Sequence, residues 1–174
     1  MRRVCSFVVA FVSLFWGFCG ELLGRDISGI YLTHKGTEGG QSIVEIFEYD
    51  NEYYVYGLQN LDGPPLQDSC NKNEDLRARL SVGNVFAFGY RENDKGQFIG
   101  GLIYNFNNCK FYYSKIIPKD SETIEFVGAL DSYYIMHRGY IWKKLSQSEA
   151  ANYSNLRKDK ALLLKTAQDT RRSR

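Results

Sequence analysis

From Ile27 onward the apolar residues fall into short runs, several with period-two alternation, separated by clusters of Gly, Asn, Asp and Ser. In Thr123–Ala129, Ile124, Phe126 and Gly128 share one face, and Glu125, Val127 and Ala129 the other. That alternation marks a strand lying between two environments. The pattern predicts eight strands: Ile27–Thr33, Ser42–Tyr49, Tyr53–Gln59, Asn84–Tyr90, Gln97–Asn105, Lys110–Ile117, Glu122–Leu130 and Arg138–Lys144. Most connections are short, including the compact turns at Asp50-Asn51-Glu52 and Asn107-Asn108, which favours an antiparallel meander. Phe86-Ala87-Phe88 and Ile99–Tyr104 are apolar on both faces. A closed barrel fits this, since one side of each strand fills the interior and the other is partly covered. Closure also removes sticky aromatic edges. A β-sandwich is the alternative architecture.

Two segments depart from the strand pattern. Asn73–Leu80 (NEDLRARL) predicts a short helix crossing between strands. Ser146-Gln-Ser-Glu149 has the form of a capping box, Ser at the N-cap and Glu three residues on, and opens a helix expected to run to about Gln168. Tyr153, Leu156, Leu163 and Ala167 fall near one face of it, with Lys160 interrupting the stripe. The expected plan is a barrel over residues 27–145 followed by a C-terminal helix and basic tail over 146–174.

The N-terminus has a different character. Arg2 and Arg3 precede an apolar run from Val4 to Phe18, and the first acidic residue is Glu21. A basic start followed by about 15 apolar residues fits a secretory signal over residues 1–20 and is short for a membrane span; an uncleaved anchor or lipidation at Cys19 is the alternative. The domain is therefore expected outside the cytoplasm, periplasmic or secreted. Cys5 and Cys19 belong to the signal, leaving Cys70 and Cys109 in the body. In an oxidising compartment two cysteines invite one bridge; the alternatives are two unpaired thiols or pairing with another chain, and spacing alone does not choose.

Charge narrows the choice of partner. The net +2 is uneven: residues 4–152 carry 13 basic and 18 acidic side chains, whereas residues 153–174 carry 7 and 2. An acidic body argues against nucleic acid. The basic end is either a solvated helix with a frayed tail or an electrostatic contact with an anionic membrane surface or acidic partner. With only His34 and His137, and no C-x-x-C, no histidine-rich or zinc-type metal site is expected.

The body also resembles a known family. Asp68-Ser-Cys-Asn71-Lys-Asn73-Glu-Asp-Leu76-Arg77-Ala-Arg79-Leu-Ser-Val-Gly83 follows a D-x-x-N-P…L-R-x-R…G pattern. Gly100-Gly101-Leu-Ile-Tyr104-Asn-Phe-Asn-Asn-Cys-Lys110-Phe-Tyr112 resembles a G-G-x-I-Y-(D/N)-P-x-(N/D)-G-K-x-Y hairpin. Val44-Glu45-Ile46 and Ile141-Trp142-Lys143 agree in order and place. These features resemble the bacterial domain of unknown function 2147 (DUF2147), small exported proteins. The resemblance implies a lipocalin-like barrel and no established activity. Lys72 stands where the family has proline, and Cys109 where it has the hairpin glycine. Both body cysteines thus occupy atypical positions on the two motif segments. The hypothesis that follows is a bridge from Cys70 to Cys109.

No catalytic constellation emerges: the serines lack a G-x-S-x-G frame, and His137 has no recognisable partner. The candidate ligand-binding residues are Arg77, Arg79, Tyr104 and Tyr112. The arginines either pair with Asp68, Glu74 or Asp75 to pin the crossing, or clamp an anion with a planar fork. The tyrosines either pack the core or line a pocket. The expected function is that of a non-enzymatic barrel without cofactor, binding a small apolar or amphipathic ligand, or an envelope protein. The alternative is an envelope scaffold acting through its surface and basic C-terminal helix.

Overall fold

The computed structural model describes residues 26–36 and 40–174; the expected signal over residues 1–20 lies outside them. Eight strands follow in chain order: β1 Gly29–Leu32, β2 Ser42–Tyr49, β3 Glu52–Asn60, β4 Val85–Glu92, β5 Phe98–Asn105, β6 Lys110–Pro118, β7 Thr123–Ala129 and β8 His137–Lys144. Each pairs antiparallel with its neighbour, and β8 pairs with β1 through Tyr31 opposite Lys144, closing a barrel. The sandwich alternative is thereby excluded. The β2–β3 turn is tight because Asp50 and Asn51 both take positive φ, 53° and 57°, a conformation that short polar side chains tolerate.

The two-sided apolar strands have a simple explanation. Their inner faces supply Val44, Ile46, Tyr53, Val55, Ala87, Tyr90, Phe98, Ile116, Ile124, Phe126 and Trp142. Phe126 and Trp142 stack with ring centroids 4.0 Å apart, and Ile27, just before β1, joins this cluster. Their outer faces supply Ile43, Phe47, Tyr54, Tyr56, Leu58, Val85 and Phe88, covered by Leu163 and Ala167 near the chain's end. Burying each such side chain contributes about 1.5–3 kcal/mol, so the terminal segment is part of the fold's stability and not an appendage.

That segment differs from the expected single helix. It forms α1 Gln147–Ala151, a 3-10 turn at Ser154–Leu156 and α2 Lys160–Arg172. The capping box opens α1 as expected, with Ser146 accepting from the Glu149 N–H. The break comes at Arg157, which is extended and reaches the buried Glu45 carboxylate with its guanidinium. Tyr56 donates to the same carboxylate. Asp159 then caps a second helix by accepting from the Ala161 N–H. Lys160 is therefore the first residue of α2 and not an interruption of one stripe. Nor is the end frayed: Leu163, Thr166, Ala167, Thr170 and Ser173 are buried.

The crossing segment is less helical than its sequence suggests. Only Glu74–Leu76 forms a 3-10 turn, with Asn73 accepting from the Asp75 N–H. Its flanks are held by two bridges: Gln67 before it pairs with Leu80 after it, and Val82 pairs with Gly57 of β3. At Gly57 a Cβ would lie 2.7 Å from the Ser81 carbonyl oxygen. These pairings take the backbone groups that a longer helix would need.

Candidate functional site

The two motif segments converge outside the barrel wall, beneath the end of α2. Asp68, fully buried, accepts from Arg79 Nε at 2.6 Å and from the Tyr104 hydroxyl at 2.6 Å. Asn71 donates to Asp68 at 2.7 Å, and its amide also lies 2.8 Å from Ser173 Oγ. Arg79 Nη1 donates to Thr170 at 2.9 Å and Nη2 to Ser173 at 3.4 Å. Every guanidinium nitrogen of Arg79 already has a partner inside the protein. Burial first, then the Asp68 hydrogen bond and charge, push the Tyr104 hydroxyl up to about 12. Such a group is a fixed donor near neutral pH, not a proton carrier. Cys70 and Cys109 form a disulfide, and Cys109 Sγ lies 3.4 Å from Asp68, so the bridge clamps the crossing to the hairpin at this joint. Cys109 takes φ 53°, the left-handed form that the family's glycine adopts freely.

The four candidate ligand residues are thus divided. Arg79 and Tyr104 meet in the joint. Arg77 lies on the exposed side, paired with Glu74 at 2.9 Å and donating to the Asn71 carbonyl. Tyr112 lies on the inward face of β6, opposite Ile103. The residues that sequence reasoning missed are Thr170 and Ser173, which no motif marks. Asn71 was marked by the D-x-x-N spacing without an assigned role.

The barrel interior is uneven along its axis. Around Ile27 it is filled, and the space left there is a cavity of about 50 Å³ lined by Asp26, Tyr31, Asp120, Lys144 and neighbours, enough for water only. Toward the opposite end the inward side chains stay partly exposed: Phe86, Ile103, Tyr112 and Tyr140. A bulge in β4 between Val85 and Ala87 adds Phe86, which packs with Ile103 against the inner cluster. Gly128 faces Ile103, and a Cβ there would lie 3.5 Å from Ile103 Cδ1, so its missing side chain leaves room. His34 packs against Tyr140 at 5.8 Å between centroids, and Arg138, opposite Gly128, stands exposed at this end. The result is a shallow, partly open aromatic cup with Arg138 at its rim. Among the described residues no group of three or more His, Cys, Asp or Glu side chains could hold a metal ion.

Comparison with known proteins agrees with this geometry. The model of a family described as "Uncharacterized protein conserved in bacteria (DUF2147)" matches residues 29–144. A solved structure titled "Protein HP1028 from the human pathogen Helicobacter pylori belongs to the lipocalin family" is similar at 32% identity and a TM-score of 0.74. The similarity covers 81% of this chain and 97% of that one. Among curated proteins none matches.

Proposed function

Because the chain belongs to the uncharacterized bacterial family DUF2147 and closes a lipocalin-like barrel, we propose that it is an exported, non-enzymatic protein that binds a small ligand in its open end. The observation that carries this reading is the asymmetry of the interior. Side chains pack solidly around Ile27, while Phe86, Ile103, Tyr112 and Tyr140 remain partly exposed at the other end. Aromatic walls suit an apolar body. Arg138 at the rim suits an anionic head, and the exposed His34 ring beside Tyr140 adds a polar edge. The ligand class is therefore amphipathic: a compact apolar portion with an acidic group. The disulfide supports the exported location, since such bridges persist in oxidising compartments.

The test is native mass spectrometry of the protein purified from its exported compartment, before and after denaturation. A reproducible extra mass that is lost on denaturation is expected. Gly128→Leu, which places a side chain against Ile103 inside the cup, should abolish that mass while the barrel still folds. A bare wild-type mass, or an adduct that survives Gly128→Leu unchanged, would overturn the proposal.

A further inference from the structure

The seven-residue segment from Leu130 to Met136, which joins β7 to β8, presents its large apolar side chains outward. Tyr133 is 85% exposed, Ile135 79%, Met136 63% and Leu130 62%. Isolated exposed apolar residues are ordinary; four on one short loop are not. Nor is the loop slack. The Asp131 carboxylate accepts from the backbone N–H groups of Tyr133 at 2.9 Å, Ile135 at 3.2 Å and Met136 at 3.0 Å. Those hydrogen bonds hold its carboxyl below the usual carboxylate range. Tyr134 turns the other way, with φ 59° and its hydroxyl on the Ser114 carbonyl at 2.8 Å. The backbone is thus fixed in a form that keeps the apolar side chains out of the protein.

We propose that this loop docks the protein onto an anionic lipid surface, with Tyr133, Ile135 and Met136 entering the interface. Three observations favour lipid over a protein partner. The apolar groups sit on one short loop, not across a broad face. A standard protein interface needs about 800 Å² from each side, more than one loop tip offers. The surrounding charge is cationic: Lys115 Nζ lies 4.5 Å from the Tyr134 ring centre, and Arg138 comes two residues after Met136, exposed in β8. The single carboxylate of the loop, Asp131, is committed to backbone N–H groups. Cations around an apolar tip, with a tyrosine at the boundary, are what an anionic interface selects. The C-terminal helix is less suited, because Leu163 and Ala167 are already buried on the barrel. This inference stands independently of whether the cup holds a ligand.

The test uses the full chain and its variants, floated with vesicles of phosphatidylcholine alone or mixed about two to one with phosphatidylglycerol. Wild type should float with the mixed vesicles and much less with the neutral ones. Ile135→Ser with Met136→Ser should weaken binding at least about tenfold, since two apolar side chains leave the interface. Lys115→Gln, which leaves the cup intact, should weaken binding to the mixed vesicles about fivefold and leave neutral vesicles unaffected. The apolar N-terminus is common to all variants and cannot create these differences. A direct readout is Tyr133→Trp, whose emission should shift to the blue on vesicles and be quenched by brominated lipid. Three results would each overturn the proposal. One is no quenching of Trp at position 133. Another is flotation lost on changing Lys158, Lys160 and Lys165 but not the loop. The third is a dimer that the loop variant dissolves.

Discussion

Replacing Arg79 by Met keeps most of the side chain's length and apolar stem but removes the charge facing Asp68. Asp68 is fully buried and the Arg79 side chain only 9% exposed, so the carboxylate has no water to fall back on. It would keep the Tyr104 hydroxyl and the Asn71 amide and lose the ionic partner that Arg79 provides. Breaking one side of such a buried pair costs about 3–5 kcal/mol. The guanidinium also lies 5.3 Å from the Tyr104 ring centre and 5.2 Å from that of Phe106, and its departure takes one hydrogen bond each from Thr170 and Ser173, which keep their others. In a domain of this size the loss corresponds to a fall in Tm of about 10 °C. Urea unfolding followed by tryptophan fluorescence, without reductant so that the disulfide stays closed, gives the free energy directly. Asp68→Asn combined with Arg79→Met removes the orphaned charge as well, and should recover more than half of the loss. A single-variant cost below about 1 kcal/mol, the range of exposed ion pairs, would refute the reasoning. It would mean that the joint is open to solvent.

Three further changes probe other parts of the structure. Cys70→Ala with Cys109→Ala opens a 39-residue separation and should lower stability by about 4 kcal/mol on the chain-entropy account, read as the urea midpoint against oxidised wild type. Gly101→Ala places a Cβ within 2.1–2.5 Å of three Tyr90 ring atoms; Tyr90 is buried and donates to Ser114, so a cost of about 2 kcal/mol is expected from overpacking, checked by thermal melting. For Glu52, burial pushes the carboxyl up, but hydrogen bonds from Tyr54 and Arg91 and the charges of Arg171 and Arg91 outweigh it and hold the group below its ordinary value. A depressed carboxyl stabilises above the unfolded value and loses that contribution as pH falls through the folded one. Glu52→Gln should therefore be less stable than wild type at neutral pH, with the gap closing below about pH 4; a gap independent of pH would contradict this.

The strands were legible because their signals are local. Alternation and Asn/Asp/Gly turns act over a few residues, and each predicted strand lies within a few residues of its observed bounds. Barrel closure was legible more weakly, from strands apolar on both faces, and the structure supplies the second reason for that pattern: the C-terminal segment, with α2 on β4, covers the outer faces of β1 to β4. The helices were misjudged where distant contacts decide. Nothing near Arg157 announces that Glu45, more than a hundred residues earlier, will draw it out of a helix. The two arginines of the crossing could not be ranked either. Which one turns inward depends on bridges at Gln67–Leu80 and Gly57–Val82, and no helical wheel contains those.

The hairpin of β5 and β6 shows why the family pattern predicts architecture better than it predicts a ligand. Tyr104 projects outward into the joint with Asp68 and Arg79, while Ile103 and Tyr112, its neighbours in the same motif, project inward to the cup. Gly100 adopts φ 79°, and Gly101 leaves space for the Tyr90 ring, so both glycines have backbone or packing duties. One wall therefore carries a fixed polar joint on its outer face and part of the cup on its inner face, with the disulfide at its tip. The joint is fully specified by charge and hydrogen bonding and tolerates little change. The cup is completed by Phe86, Tyr140 and Arg138, which come from outside the motif segments. On the proposed function, selectivity follows those three positions, because none of them touches the joint that holds the wall in place.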